Sequence, residues 1–429
     1  MKRLLEFVLK WMAKMVLARH KPKIIAITGS VGKTTAKDAI FKVVSAENFA
    51  WKSLGNYNNE IGVPLTILGA ASGKRNIFLW LSVFFRFIRL LVGGSYPKFL
   101  VIEMGADRVG NIEYLINIAR PDIAVVTRVG EAHLEFFGDI ETVQMEKAQI
   151  VEALPKPGFA ILNCDDPRVL AMQHLHAGKV ITFGLSEEAQ IRAQNILIFQ
   201  NPGDSSPTSV KNLGLQFEIK YKNKKFALRT PGLLGNPQVY SLLAAFTTGC
   251  AIGMPEQKIL VALKDFTPPA GRLRPLPGIK NTILLDDTYN SSPDAVIEAL
   301  KVLKQIRAHR RIAVLGDMLE LGTATETAHR RVGRLLFDLG INLLFTVGER
   351  AKFIADEARL AGLNRLKIME FDASDEARIP LQNKMREGDV VLIKGSQGLR
   401  LEKIVEEVMA EPERASELLV RQTPDWKLK

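Results

Sequence analysis

The residues best suited to chemistry fall in one short run, Lys23-Ile-Ile-Ala-Ile-Thr-Gly-Ser-Val-Gly-Lys-Thr-Thr35. Gly29, Ser30, Val31, Gly32, Lys33, Thr34 and Thr35 have the composition of a phosphate cradle. Glycines let backbone N–H groups approach phosphate oxygens, a lysine reaches the terminal phosphates, and a threonine hydroxyl suits Mg²⁺. The full Walker A spacing would place glycine at position 27, where this chain has Ile27. Further along stand Glu103, His133 and Lys147. Phosphoryl transfer needs a cradle, a cation, and Mg²⁺ held by hard or borderline ligands. Thr34 and Glu103 suit one Mg²⁺, and His133 could serve a second. Singly, a glutamate after a strand and a lone histidine are ordinary structural residues; the expectation rests on their joint placement. From spacing alone, Lys147 reads as a surface lysine on a helix.

The elements that must position these residues are legible in the pattern. Ile24 to Ile27 reads as a buried parallel strand, followed by a helix starting near Thr35. The apolar run 99–102 ends in Glu103-Met-Gly105, and 123–126 ends in the stretch from Thr127 to His133. Both place chemistry at the C-terminal end of a strand, where doubly wound sheets bind ligands. A helix over 140–153 carries Lys147, and runs 160–162 and 180–183 continue the sheet. Alternation over 190–230, with the turn-rich Asn201-Pro-Gly-Asp-Ser-Ser-Pro207, predicts a small β excursion, and a helix over 239–253 follows. Residues 267–278 hold four prolines and two glycines, the composition of a domain boundary and hinge. A new alternation follows, with strands at 282–286, 311–315, 343–347 and 390–393 and helices at 293–308 and near 328–339. It predicts a second parallel, Rossmann-like sheet, without the Gly-x-Gly-x-x-Gly turn of a dinucleotide site. The expected class is α/β. An amphipathic helix spans 1–21, a central P-loop-type doubly wound domain spans 22–274, and a Rossmann-like domain spans 275–429.

Net charge is +12, and its distribution limits the partners. Lys2, Arg3, Lys10, Lys14, Arg19, Lys21 and Lys23 against Glu6 place half of the excess in the first segment. No basic patch interleaved with aromatics suggests nucleic acid. Cys164 and Cys250 lack metal-type spacing and read as free thiols of a reducing compartment; no His-x-x-x-His pair supports a zinc site. Residues 1–20 and 77–92 form two basic amphipathic helices. Both are too charged or too short for a span of about 20 residues, and each reads as packed on its domain or lying at a membrane surface. In the second, Ser82, Arg86 and Arg89 make a narrow polar stripe on an otherwise apolar helix.

Together these pieces resemble the Mur ligase family. The resemblance rests on Thr28-Gly-Ser-Val-Gly-Lys-Thr-Thr35, Gly55-Asn-Tyr-Asn-Asn-Glu-Ile-Gly-Val-Pro-Leu65, Glu103-Met-Gly105 and Gly130-Glu-Ala-His-Leu-Glu-Phe-Phe-Gly138. Glu146-Lys147, Gly271-Arg-Leu273, Asp286-Asp-Thr-Tyr-Asn-Ser-Ser-Pro293, Leu315-Gly-Asp-Met-Leu-Glu-Leu-Gly322 and Lys394-Gly-Ser396 continue it. They run in family order from about residue 22 to 410, and the short glycine loop is the family's own form. The resemblance implies an ATP-dependent ligase that makes an acyl phosphate and adds D-alanyl-D-alanine to a cell-wall precursor acid, a muramoyl tripeptide. It implies ATP, two Mg²⁺ and a carbamylated Lys147 as a metal ligand, with catalytic roles for Lys33, His133 and Lys147. It further implies ATP contacts at Arg272, Asp287 and Asn290, and substrate contacts at Asn58, Asn59, Glu60, Lys394 and Ser396. The implied setting is the cytoplasm, at the inner face of the membrane if residues 1–20 and 77–92 dock there.

The chain departs from the family pattern in places. About 22 residues precede the first strand, so the family's N-terminal UDP-sugar domain is expected to be absent. That leaves room for a lipid-linked acceptor. Arg128 stands at a usual asparagine, Pro237-Gln238 and Ser241 replace the family's His-Asn pair and later Asn, and Gln397 replaces an arginine. The alternatives are a Mur-type ligase acting on a lipid-linked or folate-like acid, and a non-catalytic membrane-associated nucleotide-binding scaffold.

Overall fold

Ile24, Ile25, Ala26 and Ile27 leave no polar side chain for solvent, and in the computed structural model they form a strand whose residues after Lys23 are all buried. The structure describes residues 2–55, 57–74, 76–131, 133–200, 210–423 and 426; the turn-rich run 201–207 lies outside the described residues. The first strand is β1 (Lys23–Thr28). It is followed by β2 (Ala50–Lys52), β3 (Phe99–Glu103), β4 (Ile123–Val126), β5 (Phe159–Asn163), β6 (Lys179–Gly184), β7 (Ile191–Gln200), β8 (Leu213–Tyr221) and β9 (Lys224–Pro231). Their order in the sheet is β2-β3-β1-β4-β5-β6-β7-β8-β9, with parallel pairing from β2 through to β7. β1 lies between β3 and β4, the place where the strand order reverses, so the loop after it opens at the sheet's switch point. The class is α/β, as the alternation predicts.

The chain divides into two compact units. One comprises residues 1–194, 218–228 and 239–266, the other 195–217, 229–238 and 267–429. In the first unit, α1 (Lys2–His20), α2 (Lys33–Val44), α3 (Gly62–Leu68) and α4 (Ile77–Val92) precede β3, and α5 (Asn111–Ile116), α6 (Leu134–Phe137) and α7 (Ile140–Glu152) flank β4. Leu9, Met12, Ala13 and Val16 bury one face of α1, which packs on α3 and α4. α4 is packed on its domain by a narrow stripe. Only Val83, Phe87 and Leu90 are buried, one stripe at i, i+4 and i+7, and most of its remaining apolar surface faces solvent. Its expected polar stripe is partly turned inward: Arg86 Nε donates to Leu68 O at 2.6 Å, and its guanidinium lies over Trp51.

The second unit contains β10 (Arg274–Gly278), β11 (Thr282–Asp287), β12 (Arg310–Gly316), β13 (Leu343–Val347), β14 (Ile368–Phe371) and β15 (Asp389–Lys394), ordered β10-β11-β15-β12-β13-β14. From β11 onward every pairing is parallel; β10 is antiparallel to β11. The strands expected at 282–286, 311–315, 343–347 and 390–393 are present and parallel, and β10, within the 267–278 run, adds an antiparallel edge to them. Pro275 and Pro277 lack N–H donors, and an edge strand is where a sheet tolerates that.

Candidate active site

The loop after β1 is fixed by bonds to the segment after β4. Ser30 N donates to Arg128 O at 2.7 Å, Ser30 Oγ accepts from Gly130 N at 2.9 Å, and Thr127 Oγ1 donates to Val31 O at 2.6 Å. Gly29 has φ 145° and Gly32 has φ 86°. A Cβ on Gly29 would lie 2.1 Å from Thr127 Oγ1. Gly29→Ala therefore displaces the threonine that holds the loop, besides straining the backbone. The expected result is a loss of nucleotide affinity of at least about tenfold, together with destabilisation of about 1–3 kcal/mol. Calorimetric titration with ATP and urea unfolding measure the two.

Helix α2 starts at Lys33, two residues before the expected position. Its N-cap, Gly32, supplies no side-chain acceptor to the first-turn N–H groups, which leaves a helix end suited to an anion. Lys33 Nζ donates to Gly29 O at 2.6 Å, folding over the loop it would share with a phosphate. Thr34 and Thr35 are buried in the first turn.

Glu103 ends β3, paired in register with Ile27, so it stands at the same sheet edge as the loop. It is 2 % exposed. Its Oε1 accepts from Asn58 Nδ2 at 3.0 Å; its Oε2 makes no hydrogen bond and lies 3.7 Å from Lys37 Nζ. Lys37, to which the sequence reading assigns no role, is as buried as Glu103 and donates to Gly55 O at 2.8 Å. A signal for it exists: it follows Ala36 and precedes Ile40 by three, on the buried side of α2. Gly105 is required by Asn58, whose Cγ would lie 2.9 Å from an added Cβ. Asn59 Oδ1 accepts from Gly62 N at 2.9 Å at the start of α3, and Glu60 Oε1 accepts from Asn111 Nδ2 at 2.9 Å. Of the three substrate contacts expected in this loop, Asn58 alone is bonded to Glu103; the other two brace neighbouring turns.

His133 has φ 62° at the start of α6, three residues beyond Gly130. Lys147 lies on α7 and is buried, contrary to the surface reading of its spacing. Burial, reinforced by repulsion from Lys33 and partly offset by Glu146, lowers its pKa to about 7. Glu146 is itself occupied, accepting from Gly110 N at 2.9 Å and Ile112 N at 2.6 Å.

Among the described residues no cluster of three or more His, Cys, Asp or Glu side chains could hold a metal. Mg²⁺ beside a nucleotide needs fewer, because one or two carboxylates plus phosphate oxygens and water complete its shell. The buried Glu103 Oε2, with no N–H or O–H donor on it, and the adjacent helix end fit that requirement.

In the second unit the expected residues also converge. Lys394 Nζ, at the end of β15, pairs with Asp287 Oδ2 at 2.8 Å and donates to Asn290 O at 2.9 Å. Asp287 Oδ1 accepts from Leu273 N at 3.1 Å, and the Arg272 guanidinium lies 3.9 Å from the Tyr289 ring centroid. Ser396 Oγ accepts from Leu319 N at 2.9 Å. Asp286, without a role in the sequence reading, is fully buried and holds Gly271 N and the Thr288 hydroxyl. Burial pushes its carboxyl up to about 6.

Residues 27–249 match the family model of the Mur ligase middle domain, and residues 271–397 match that of the Mur ligase, glutamate ligase domain. The UDP-N-acetylmuramoyl-tripeptide--D-alanyl-D-alanine ligase of Mycobacterium tuberculosis is 31% identical over 411 residues, which cover 90% of this chain and 73% of that protein. Its namesake from Bacillus subtilis is 27% identical over 405 residues, covering 94% of this chain and 79% of that one. The crystal structure of MurF ligase from Thermotoga maritima in complex with ADP shares the fold, with a TM-score of 0.77 at 24% identity, covering 95% of this chain and 84% of that one.

Proposed function

This chain belongs to the Mur ligase family, and from that premise we propose that it is an ATP-dependent, ADP-forming ligase joining D-alanyl-D-alanine to a muramoyl-tripeptide cell-wall precursor. The carrying observation is Lys147, buried beside Lys33 with its pKa lowered to about 7. A nucleotide-binding scaffold without chemistry has no use for a neutral buried amine next to a phosphate loop.

The chemistry runs in two steps. A carboxylate oxygen of the acceptor attacks the ATP γ-phosphorus, ADP leaves, and an acyl phosphate forms. The dipeptide amine then attacks the acyl carbon; the amide forms, phosphate leaves and the amine's extra proton is released. Lys33, with the first-turn N–H groups of α2, stabilises charge on the transferring phosphoryl group. Lys147 Nζ, whose neutral form is well populated near pH 7, attacks CO₂ to form an N–C bond, loses a proton and becomes a carbamate anion. Lys33, which repels an ammonium there, attracts that anion. Thr34 and Glu103 are the residues we assign to one Mg²⁺ and His133 to a second, with the Lys147 carbamate as a further Mg²⁺ ligand; bound there, Mg²⁺ would supply further neutralisation of phosphoryl charge. Arg272, Asp287 and Asn290 are assigned to ATP, and Asn58, Asn59, Glu60, Lys394 and Ser396 to acceptor and dipeptide. Domain bounds of 22–274 and 275–429 are retained in this reading.

Free thiols at Cys164 and Cys250 support a cytoplasmic setting, at the inner face of the membrane through residues 1–20 and 77–92. No helix among the described residues is long and apolar enough to cross a membrane. A lipid-linked acid is the second reading for the acceptor, favoured by the apolar surface that α4 exposes. The test is phosphate release from ATP across a panel of acids, with and without D-alanyl-D-alanine. Dipeptide-dependent release with a UDP-muramoyl tripeptide is the expected result; a dipeptide that stimulates no muramoyl tripeptide overturns the reading.

A further inference from the structure

Helices α1 and α4 expose an unusually apolar surface. Phe78 is 75 % exposed, Phe85 68 % and Trp11 53 %, with Leu4, Phe7, Leu81 and Phe84 also open to solvent. The two helices meet beneath this surface through the buried Phe87: Trp11 contacts it with centroids 5.9 Å apart, and the exposed Phe84 contacts it at 6.2 Å. An apolar surface of this kind marks an interaction site. Beside it, between α1 and Tyr114 of α5, lies a cavity of about 390 Å³. Its lining brings together Arg3, Lys10 and Lys14, with Glu6 as the single acid, and Lys10 Nζ sits 4.3 Å from the centroid of the Tyr114 ring.

We propose that α1 and α4 form a docking face for an anionic lipid bilayer, with a headgroup phosphate seated in the Arg3–Lys10–Lys14 cavity. This deepens the membrane placement above and rests on it, not on the ligase chemistry. Charge selects the occupant. A second copy would set one basic rim against another, whereas an anionic leaflet attracts each lysine and arginine near its surface. Aromatic side chains on the apolar stripe enter the headgroup and acyl boundary while the long basic side chains reach phosphates, the arrangement of an interfacial helix.

Flotation of the intact chain with vesicles of phosphatidylcholine, alone or mixed with phosphatidylglycerol, tests this. Binding to the mixed vesicles is expected to be at least about tenfold tighter, and to weaken with salt. Arg3→Ala with Lys14→Ala removes about tenfold of that preference and leaves binding to phosphatidylcholine unchanged. Phe78→Ser with Phe85→Ser lowers binding to both vesicles by at least about tenfold. All four substitutions lie outside the phosphate site, so dipeptide-stimulated phosphate release on a dissolved precursor stays at the parent rate. Binding to both vesicles that ignores Arg3 and Lys14 overturns the headgroup cavity and leaves membrane placement standing. Negligible flotation on either overturns both. Self-association without lipid that is lost on Phe78→Ser with Phe85→Ser, with no flotation, assigns the face to a second copy and overturns the proposal.

Discussion

Lys33→Met is expected to slow dipeptide-stimulated phosphate release by about a hundred- to a thousandfold at saturating ATP, the range for removing one preorganised charge from a developing transition state. The effect falls on kcat more than on KM, because the loop's backbone donors still bind ground-state phosphates. Stability changes by less than about 1 kcal/mol, since the ligand-free lysine gives up its bond to Gly29 O and methionine keeps the helix start. A second consequence follows at Lys147. Burial is the larger cause of its lowered pKa and Lys33 the next, so removing Lys33 moves the amine part of the way back towards the ordinary lysine range. The neutral fraction at pH 7 then falls, and with it the carbamate. Steady-state kinetics and ¹³C-bicarbonate NMR separate the two effects.

Lys147→Ala is expected to abolish phosphate release to below about a hundredth of the parent rate, with partial recovery when a small carboxylate or bicarbonate is added to fill the space. Full activity that added chloride or bicarbonate cannot change would remove the carbamate from the mechanism. The same residue has a signature in folding. The unfolded lysine titrates near 10.5 and the folded one near 7, so between these values the unfolded chain binds one more proton. Stability therefore rises with pH across that window, by an amount on the order of 5 kcal/mol if the shift is complete. Below about pH 7 both states are protonated and the cost of burying the charge is present in full. Lys147→Met is expected to lose this slope and to be the more stable protein at pH 7. Urea unfolding at pH 7 and pH 9 in CO₂-free buffer measures it.

The parts of the site visible in sequence are those whose geometry is local. An apolar β-branched run, two spaced glycines and a helix start lie within 13 residues, and the strand–loop–helix they predict is the one observed. Glu103 was legible for the same reason, as the first polar residue after a buried strand. Lys147 was not. Its burial and its repulsion by Lys33 arise from packing across more than a hundred residues, and helical spacing reads such a lysine as solvated. Lys37 was hidden because its partner Glu103 lies far along the chain. α4 shows the limit from the other side. In a helix apolar nearly all round, composition does not say which stripe the protein will bury, and packing needed only Val83, Phe87 and Leu90. Residues 274–278 show that proline content can mean an edge strand as well as a linker.

The bonds that shape the phosphate loop have a kinetic consequence. Ser30 is tied to Gly130, Thr28 Oγ1 donates to Met104 O, and Thr127 closes on Val31; each joins segments separated by 76 to 100 residues. Contacts of that separation must offset the entropy of closing long loops. The loop therefore acquires its shape only once β1, β3 and β4 are in register. ATP capture becomes a reporter of that registration during refolding, and a nascent chain that ends before residue 130 holds the sequence of the cradle without the cradle.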